Sequence, residues 1–293
     1  MISEAQNAEG TQLRKLQLTQ LEILKLIDRF CREKGIPYSL YAGTLLGAVR
    51  HQGFIPWDDD LDICMSRKDY NRFLQLWEEE KPAGYILQNK ENSPGFSPSF
   101  SKIRKDHTCF LQFESEIGHY QMGIFVDIFP IDRMPNGRVT SKLFQLKCLE
   151  YQLLTREFLP TDGNPAVKAI AKLILKLSSP EQRAAKRKRL LHWIEKYNDN
   201  KELPAVAIET QSTIRTPLPS NFMAEFTELT FEDSEFMCTA VWDEYLSAKY
   251  GDYMKLPPES QRVWKHHPLI LDFDRNYEEL TEEEKLQRLK SVE

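Results

Sequence analysis

Long apolar runs are missing from this chain of 293 residues: no stretch approaches the roughly 20 residues that a membrane-crossing helix needs. Paired cysteines are missing too. Cys31, Cys64, Cys109, Cys148 and Cys238 are odd in number, widely spaced and include no Cys-x-x-Cys, which argues against a zinc site or a disulfide framework. There is no excess of positive charge, the net value being -5, so general nucleic-acid binding is not expected. Met1 to Gly10 is polar and lacks a basic flank leading into an apolar stretch, so no secretory or transit segment is read there. No internal repeat or low-complexity tract is visible. The expectation is a protein made and kept in the cytoplasm, large enough to bury a substantial core, with no nucleic-acid partner.

What is present is an uneven distribution of charge and a change of periodicity. Ser141 to Asn198 holds 12 Lys or Arg against 5 Asp or Glu, a local +7, leaving -12 for the rest. Before that segment, helical and strand patterns alternate loosely. Leu13, Leu16, Leu21, Leu24 and Ile27 predict a helix over Thr11 to Lys34, closed by Gly35 and Pro37. Tyr38 to Ala42 and Leu61 to Met65 read as strands, with a short helix over Leu45 to Arg50 between them and another over Lys68 to Glu80. Tyr85 to Gln88, Ser99 to Lys105, Thr108 to Phe113 and Gly123 to Phe129 read as further strands.

After Thr140 long helical patterns take over, at Leu143 to Phe158, Ala166 to Leu177 and Glu181 to Tyr197. The last third has β-like pieces over Phe222 to Phe236, a helix near Thr239 to Tyr250 and an acidic helical tail after Asp272. The expected class is α+β: a mixed sheet flanked by helices, with an inserted or appended helical subdomain. The expected division is a catalytic core over 1–140, a basic helical subdomain over 141–216, and a part over 217–293 that packs back on the core.

The chemistry concentrates at Trp57-Asp58-Asp59-Asp60-Leu61-Asp62. In a strand, Asp60 and Asp62 share a face about 7 Å apart, with Leu61 and Ile63 turned to the core. Like charges that close repel unless a cation neutralises them, and hard oxygen donors select Mg²⁺ or Mn²⁺. A solvated acidic turn is the plain alternative. A calcium loop fails on the pattern, since Ile63 stands where Gly is needed and Asp69 where Glu is needed. Upstream, Tyr41-Ala-Gly-Thr-Leu-Leu-Gly-Ala-Val-Arg50 runs from a strand into a helix start whose bare amides and dipole suit a phosphate. There Gly43 permits close approach and Thr44 caps or donates. A third acid is expected from another strand. Asp127, alone in the apolar run Gly123 to Phe129, fits best, because burying it unpaired would cost several kcal/mol. An ion pair with an arginine such as Arg133 is the structural alternative for Asp127. Asp132, read as lying in a loop after Pro130, is a weaker candidate for the third acid.

These residues together resemble the LicD family of phosphocholine transferases, within the nucleotidyltransferase superfamily and related in motif to the fukutin-type glycan phosphotransferases. The resemblance is close over Tyr38 to Tyr70. It extends weakly through Ser101-Lys-Ile-Arg104, Val126-Asp-Ile-Phe-Pro130, Tyr250 to Pro258 and His266-His-Pro268, and it is poor over Leu143 to Thr216.

The resemblance implies a nucleotidyltransferase-type sheet and transfer of phosphocholine from CDP-choline to a sugar hydroxyl of a teichoic acid or lipopolysaccharide precursor, with release of CMP. It implies that Asp60 and Asp62 hold Mg²⁺ at the pyrophosphate, that Asp127 completes the site and helps to deprotonate the acceptor, and that Asp58 supports from the rim. Arg50, and Lys102 with Arg104 two apart on a strand, would face phosphate. Choline cannot donate a hydrogen bond and is read by aromatic faces, for which Trp57, Tyr70, Trp242 and Trp264 are candidates. Of the adjacent His266 and His267, at most one reaches the site, and His266 is taken.

A lipid-linked glycan acceptor would give the basic helices a purpose. Lys168, Lys172 and Lys176 share one face, with Ile170, Leu173, Ile174 and Leu177 opposite, and Lys186-Arg-Lys-Arg189 follows. Such a surface suits peripheral contact with an anionic inner leaflet, the alternative being a solvated face packed by its apolar side. Competing functions are a CDP-ribitol or CDP-glycerol phosphoalditol transferase, a nucleotidyltransferase releasing pyrophosphate, and a nucleotide-binding module without catalysis. The oligomeric state is not legible.

Overall fold

The computed structural model describes residues 4–113, 117, 120–155, 165–208 and 217–290. The chain opens with α1 (Glu4–Lys34), which buries Leu16, Ile23, Leu24, Ile27 and Phe30 against the sheet and stops where Gly35 takes a φ of 59°. Then come β1 (Ser39–Leu40), α2 (Ala42–His51), β2 (Asp62–Ser66) and α3 (Arg67–Glu80). Ser66 caps α3 by accepting a hydrogen bond from the Asp69 amide. Strands β3 (Tyr85–Gln88), β4 (Ser101–Lys105), β5 (Cys109–Leu111) and β6 (Phe125–Arg133) follow.

Six strands form one mixed sheet, in the order β1-β2-β6-β4-β3, with β7 (Ala205–Ala207) pairing on β6. The β2–β6 pairing is parallel and the others are antiparallel. Strand β6 is nearly all buried, as expected where both faces of a central strand are covered. It takes β4 beside Phe125 to Ile128 and β7 beside Ile131 to Arg133.

This length overturns the placement of Asp132 in a loop. The strand passes through Pro130, whose missing amide proton is tolerated, and carries Asp132 into the interior. There Arg67 grips it at 2.6 and 3.0 Å and Asn198 donates at 2.8 Å.

The helices α4 (Arg138–Thr155), α5 (Pro165–Leu177) and α6 (Pro180–Glu195) precede β7. The cap of α6 is a Ser179–Gln182 capping box with Pro180 at the first turn. Phe144, Cys148, Tyr151, Leu154, Leu190 and Ile194 form a cluster of their own with Met134, Val206 and Ile208. The expected helical span to Phe158 ends outside the described residues. The hairpin β8 (Phe226–Phe231) with β9 (Ser234–Thr239), and then α7 (Trp242–Tyr250), add Phe231, Phe236, Tyr245 and Leu246 to the main core. β10 (Ile270–Asp272) pairs with β5, and α8 (Glu282–Lys290) closes the chain. The short β7 and β10, three residues each, lack the alternation that would have announced them.

Candidate active site

The acids meet where β2 and β6 run parallel. Register places Asp62 opposite Asp127, Lys102 opposite Asp127, and Gln88 opposite Lys102, so one row crosses four strands. Directly paired residues share a sheet face, so these four side chains stand on the same side. Asp60 is not part of the strand, which starts at Asp62. It ends the loop that enters β2, and Leu61 between them is fully buried.

Backbone contacts hold that loop in place. From α1 the buried Gln17 donates to the Asp58 carbonyl and Gln20 to the Asp59 carbonyl, each at 2.8 Å. Thr44 is buried, and its hydroxyl accepts the Asp62 amide at 2.8 Å. Thr44 therefore orients an acid instead of facing solvent as an open donor. Gly43 does permit a close approach, but of a carboxylate. A Cβ there would lie 2.7 Å from Asp58 Oδ2, so the Asp58 side chain rests on the first turn of α2, at the positive end of its dipole.

The electrostatics follow from crowding. Burial, then Asp60 and Asp59, push the Asp58 carboxyl up to about 7. Burial pushes Asp62 well above the ordinary carboxylate range, with Asp60, Asp127 and Asp58 adding to it. Asp60 is raised by burial and then by Asp59 and Asp127, against the pull of His266. Asp127 is raised by burial although Lys102 donates to its Oδ1 at 2.7 Å. The ion-pair partner of Asp127 is thus Lys102, not Arg133, which donates instead to the Leu203 and Ser220 carbonyls.

Oxygens of Asp58, Asp59 and Asp60 lie within 4.8 Å of one another, near enough for one cation. The donor set is all carboxylate, which fits a hard divalent ion, and the mutual repulsion of the buried acids is what such an ion would relieve. Asp59 itself is committed elsewhere. It is 1% exposed, and it accepts from Trp264 Nε1 at 2.5 Å and the His266 amide at 3.0 Å, with its Oδ1 3.0 Å from His266 Nδ1. That contact raises the His266 imidazole above its ordinary value.

Between the acids and the loop before β4 lies a cleft of about 430 Å³. Its walls combine Asp59, Asp60, Asp127, Lys102 and His266 with Phe96, Phe100, Phe110, Phe113, Tyr120 and Phe125. Lys102 and Arg104 share a face as their spacing requires. Lys102 Nζ sits 3.2 Å from the centre of the Phe125 ring and the Arg104 guanidinium 4.9 Å from it, while Arg104 also donates to Gln88 and to the Gly123 carbonyl.

Arg50 stands at the other end of α2, where it donates to the Tyr253 carbonyl at 2.8 Å and feels the charge of Asp58. Trp57 lies outside the cleft, under Arg262 and edge-on to His51. Tyr70 is buried on Ser101, Trp242 packs against the core, and Trp264 is tied to Asp59. None of these four aromatics lines the cleft. The rings that do were passed over, because they come from separate loops and strands with no common motif.

Two further groups escaped sequence reasoning. Asp59 alternates with Asp58 and Asp60 and so points to the C-terminal segment. Lys249 lies among the rings of Tyr41, Tyr245 and Tyr250, and burial lowers its ammonium against the pull of Asp62. Only the second could have been suspected, as a lone cation on an aromatic helix face.

Comparison with known proteins gives the family. Residues 35–153 match the family described as LicD/FKTN/FKRP, nucleotidyltransferase domain. The chain is 31% identical over 261 residues, 87% of its length and 96% of the relative's, to the lipopolysaccharide cholinephosphotransferase LicD of Haemophilus influenzae. It is 27% identical over 140 residues, 47% of its length and 27% of the relative's, to the mouse ribitol-5-phosphate transferase FKTN. An uncharacterised protein of Rickettsia typhi is 37% identical over 90 residues, 31% of this chain and 29% of that one. With nearly the whole of one relative covered and the acidic run inside the matched domain, the chain belongs to the LicD family.

Proposed function

We propose that this protein moves phosphocholine from CDP-choline to a sugar hydroxyl of a cell-surface glycan precursor, of teichoic acid or lipopolysaccharide type, and releases CMP. The observation that carries the reading is that Asp60 and Asp127 line a cleft, with Asp62 the register partner of Asp127, in a chain alignable along most of its length with a lipopolysaccharide cholinephosphotransferase. Asp60, Asp62 and Asp127 would hold Mg²⁺ or Mn²⁺, with Asp58 at the rim. That ion supplies charge neutralisation at the pyrophosphate and at the transferring phosphoryl group.

The remaining work falls to side chains. Lys102 holds Asp127 in place, and Asp127 accepts the proton of the acceptor hydroxyl as the new phosphorus–oxygen bond forms and the phosphoanhydride bond to CMP breaks. Lys249, near the end of α7, and Arg50, in the last turn of α2, balance the charge of the nucleotide's phosphates. His266, tethered by Asp59, borders the cleft and is placed to contact the phosphocholine or the acceptor. Trp57, Gly43 and Thr44 shape the loop and helix start beneath them.

A panel of CDP-choline, CDP-ribitol and CDP-glycerol with Mg²⁺, read by CMP release, tests the donor. The similarity to a ribitol-5-phosphate transferase makes CDP-ribitol the second reading, and CMP release from it alone would replace choline by an alditol. Release of pyrophosphate from a triphosphate would mark a nucleotidyltransferase instead.

The acceptor would be a lipid-linked glycan at the inner face of a membrane, and no helix among the described residues is long and apolar enough to cross one. Peripheral contact is supported by an apolar stripe that the structure leaves uncovered. On α5, Ile170, Leu173 and Leu177 are exposed, while Ala171 is buried and Ile174 packs against the helical cluster, so part of the apolar side of this helix stays uncovered. The exposed Lys172 and Lys176 flank that stripe, and Val139, Leu143 and Leu146 are exposed on α4, which packs against α5. Apolar residues flanked by lysines complement the boundary between acyl chains and anionic headgroups.

A further inference from the structure

The sheet face that carries the acids ends in a second cleft. Alternate residues of a strand share a face, so Ser66 on β2 and Ile131 and Arg133 on β6 stand on the side of Asp62 and Asp127. Ser66 is the register partner of Ile131 and lies at the far end of β2 from Asp62, about 13 Å away at the rise of a strand. Met223, whose sulfur rests on the Cys64 thiol, fills the face between the two ends. Ser66, Ile131, Arg133 and Met223 line a cleft of about 630 Å³, large enough for a small-molecule site, which shares no lining residue with the cleft beside the acids.

Three cations meet in this cleft: Lys68 from the first turn of α3, Arg133 from the end of β6 and Lys201 from the turns after α6. Among the described residues none of the three forms an ion pair, whereas the neighbouring Arg67 is matched by Asp132. Arg133 is anchored through Nη1, which donates to the Leu203 and Ser220 carbonyls, and its Nε and Nη2 have no protein partner among the described residues. Burial works against that guanidinium's charge and lowers its pKa, with Glu202 pulling the other way from a distance. Of the two acids in the lining, Glu202 is exposed and Asp69 is committed to the start of α3, where the Ser66 hydroxyl donates to it at 2.5 Å. Ser220 and Asn221 add a hydroxyl and a side-chain amide.

Cations arranged around one anchored guanidinium fork, with hydroxyl and amide groups beside them, suit a phosphate carried on a polyol. No aromatic ring lines this cleft, so a nucleotide base has nothing to stack on. We propose that the cleft at the carboxyl ends of β2 and β6 binds a phosphorylated sugar or alditol, at a site separate from the phosphoryl-transfer acids. Arg133 takes the phosphate through Nε and Nη2, Lys68 and Lys201 close on it, and Ser220, Asn221 and Glu202 meet the polyol hydroxyls. Such a ligand has two sources, a phosphorylated unit within a glycan acceptor or a free sugar phosphate. Binding here is independent of which CDP-activated donor the acids use.

The experiment titrates glucose 6-phosphate, glucose and a teichoic acid oligomer into the full-length protein by calorimetry. Glucose 6-phosphate should bind and glucose should not. The double variant Lys68→Glu with Lys201→Glu changes two exposed side chains, and it should weaken glucose 6-phosphate at least about tenfold through loss of charge-assisted contacts. Arg133→Gln should abolish binding, and the lysine pair guards against a folding defect from the lost carbonyl contacts of Arg133. Saturating CMP with Mg²⁺, which occupies the acid site, should leave glucose 6-phosphate binding in place. An oligomer that binds more tightly than glucose 6-phosphate supports the glycan as source, and equal affinity supports the free sugar phosphate.

Undiminished glucose 6-phosphate binding in the lysine pair would overturn the site, and so would its displacement by CMP. Wild type that binds neither glucose 6-phosphate nor the oligomer would overturn it as well. None of these results bears on the donor, which CMP release decides.

Discussion

Asp62 and Asp127 are register partners on adjacent parallel strands, two carboxylates held face to face by the backbone with Lys102 next in the row. Each is pushed up by burial, and Asp62 is pushed further by Asp127 itself. Such a pair is costly to the fold unless a positive charge neutralises it.

Replacing Asp62 by Asn should therefore separate stability from activity. Removing one of the repelling charges keeps the shape, so the melting temperature measured in EDTA should hold or rise. CMP release should fall by at least about a hundredfold, because charge that stabilises the transferring group is lost. A parallel loss of melting temperature and activity would show that Asp62 serves the fold alone.

The metal-free protein should lose stability as pH rises. Asp58 is pushed up to about 7 from an unfolded value near 3.8, and Asp60, Asp62 and Asp127 are shifted the same way. A raised carboxyl contributes stability below its unfolded value and gives it up as pH climbs through its folded value. Melting curves in EDTA should thus fall between about pH 4 and pH 8, and excess Mg²⁺ should flatten the decline by binding the ionised acids. A melting temperature independent of pH in EDTA would contradict this.

Gly43→Ala should act through Asp58. The added Cβ would meet the Asp58 carboxylate at 2.7 Å, whereas the substitution suits the helix itself. Activity should drop about tenfold or more with little change in melting temperature. In an Asp58→Ala background the same substitution should have almost no further effect, since interacting residues are non-additive. Equal losses in both backgrounds would place the clash elsewhere.

Asp132→Ala should unfold without touching the chemistry. It removes the short, bidentate partner of the buried Arg67 and leaves that guanidinium only Glu195 at 3.6 Å, a change that costs about 3 kcal/mol. Urea titration should report that loss, and CMP release per folded molecule should match wild type. A catalytic defect at full stability would return Asp132 to the site.

The α5 stripe predicts lipid dependence. Wild type should co-sediment with liposomes containing anionic lipid at low salt, and Leu173→Glu with Leu177→Glu should abolish that while CMP release from CDP-choline in solution persists. A dimer in solution that the same variants dissociate, without liposome binding, would assign the stripe to a second copy of the chain.

Local pattern carried much of this into view early. The 3.6-residue spacing in α1, the Gly35 boundary and the acid run before β2 are all near-neighbour relations, although α1 begins at Glu4, seven residues before the expected Thr11. Non-local relations were not legible. The sequence read Asp60 and Asp62 as one strand face, but the strand begins at Asp62 and the loop is pinned by Gln17 and Gln20 from α1. It read Asp132 as loop because Pro130 breaks most strands, yet a parallel neighbour on one side and β7 on the other carry β6 onward.

By itself, then, the sequence determined the residue types and their short-range order: the acids, the glycine beneath Asp58, the α+β alternation and the family they mark. The tertiary structure alone decided that Asp127 faces Asp62, that Asp59 anchors Trp264 and His266, and that rings from distant segments wall one cleft. Strand register and loop docking depend on which segments lose water together, and that is a property of the folded chain, not of any window along it.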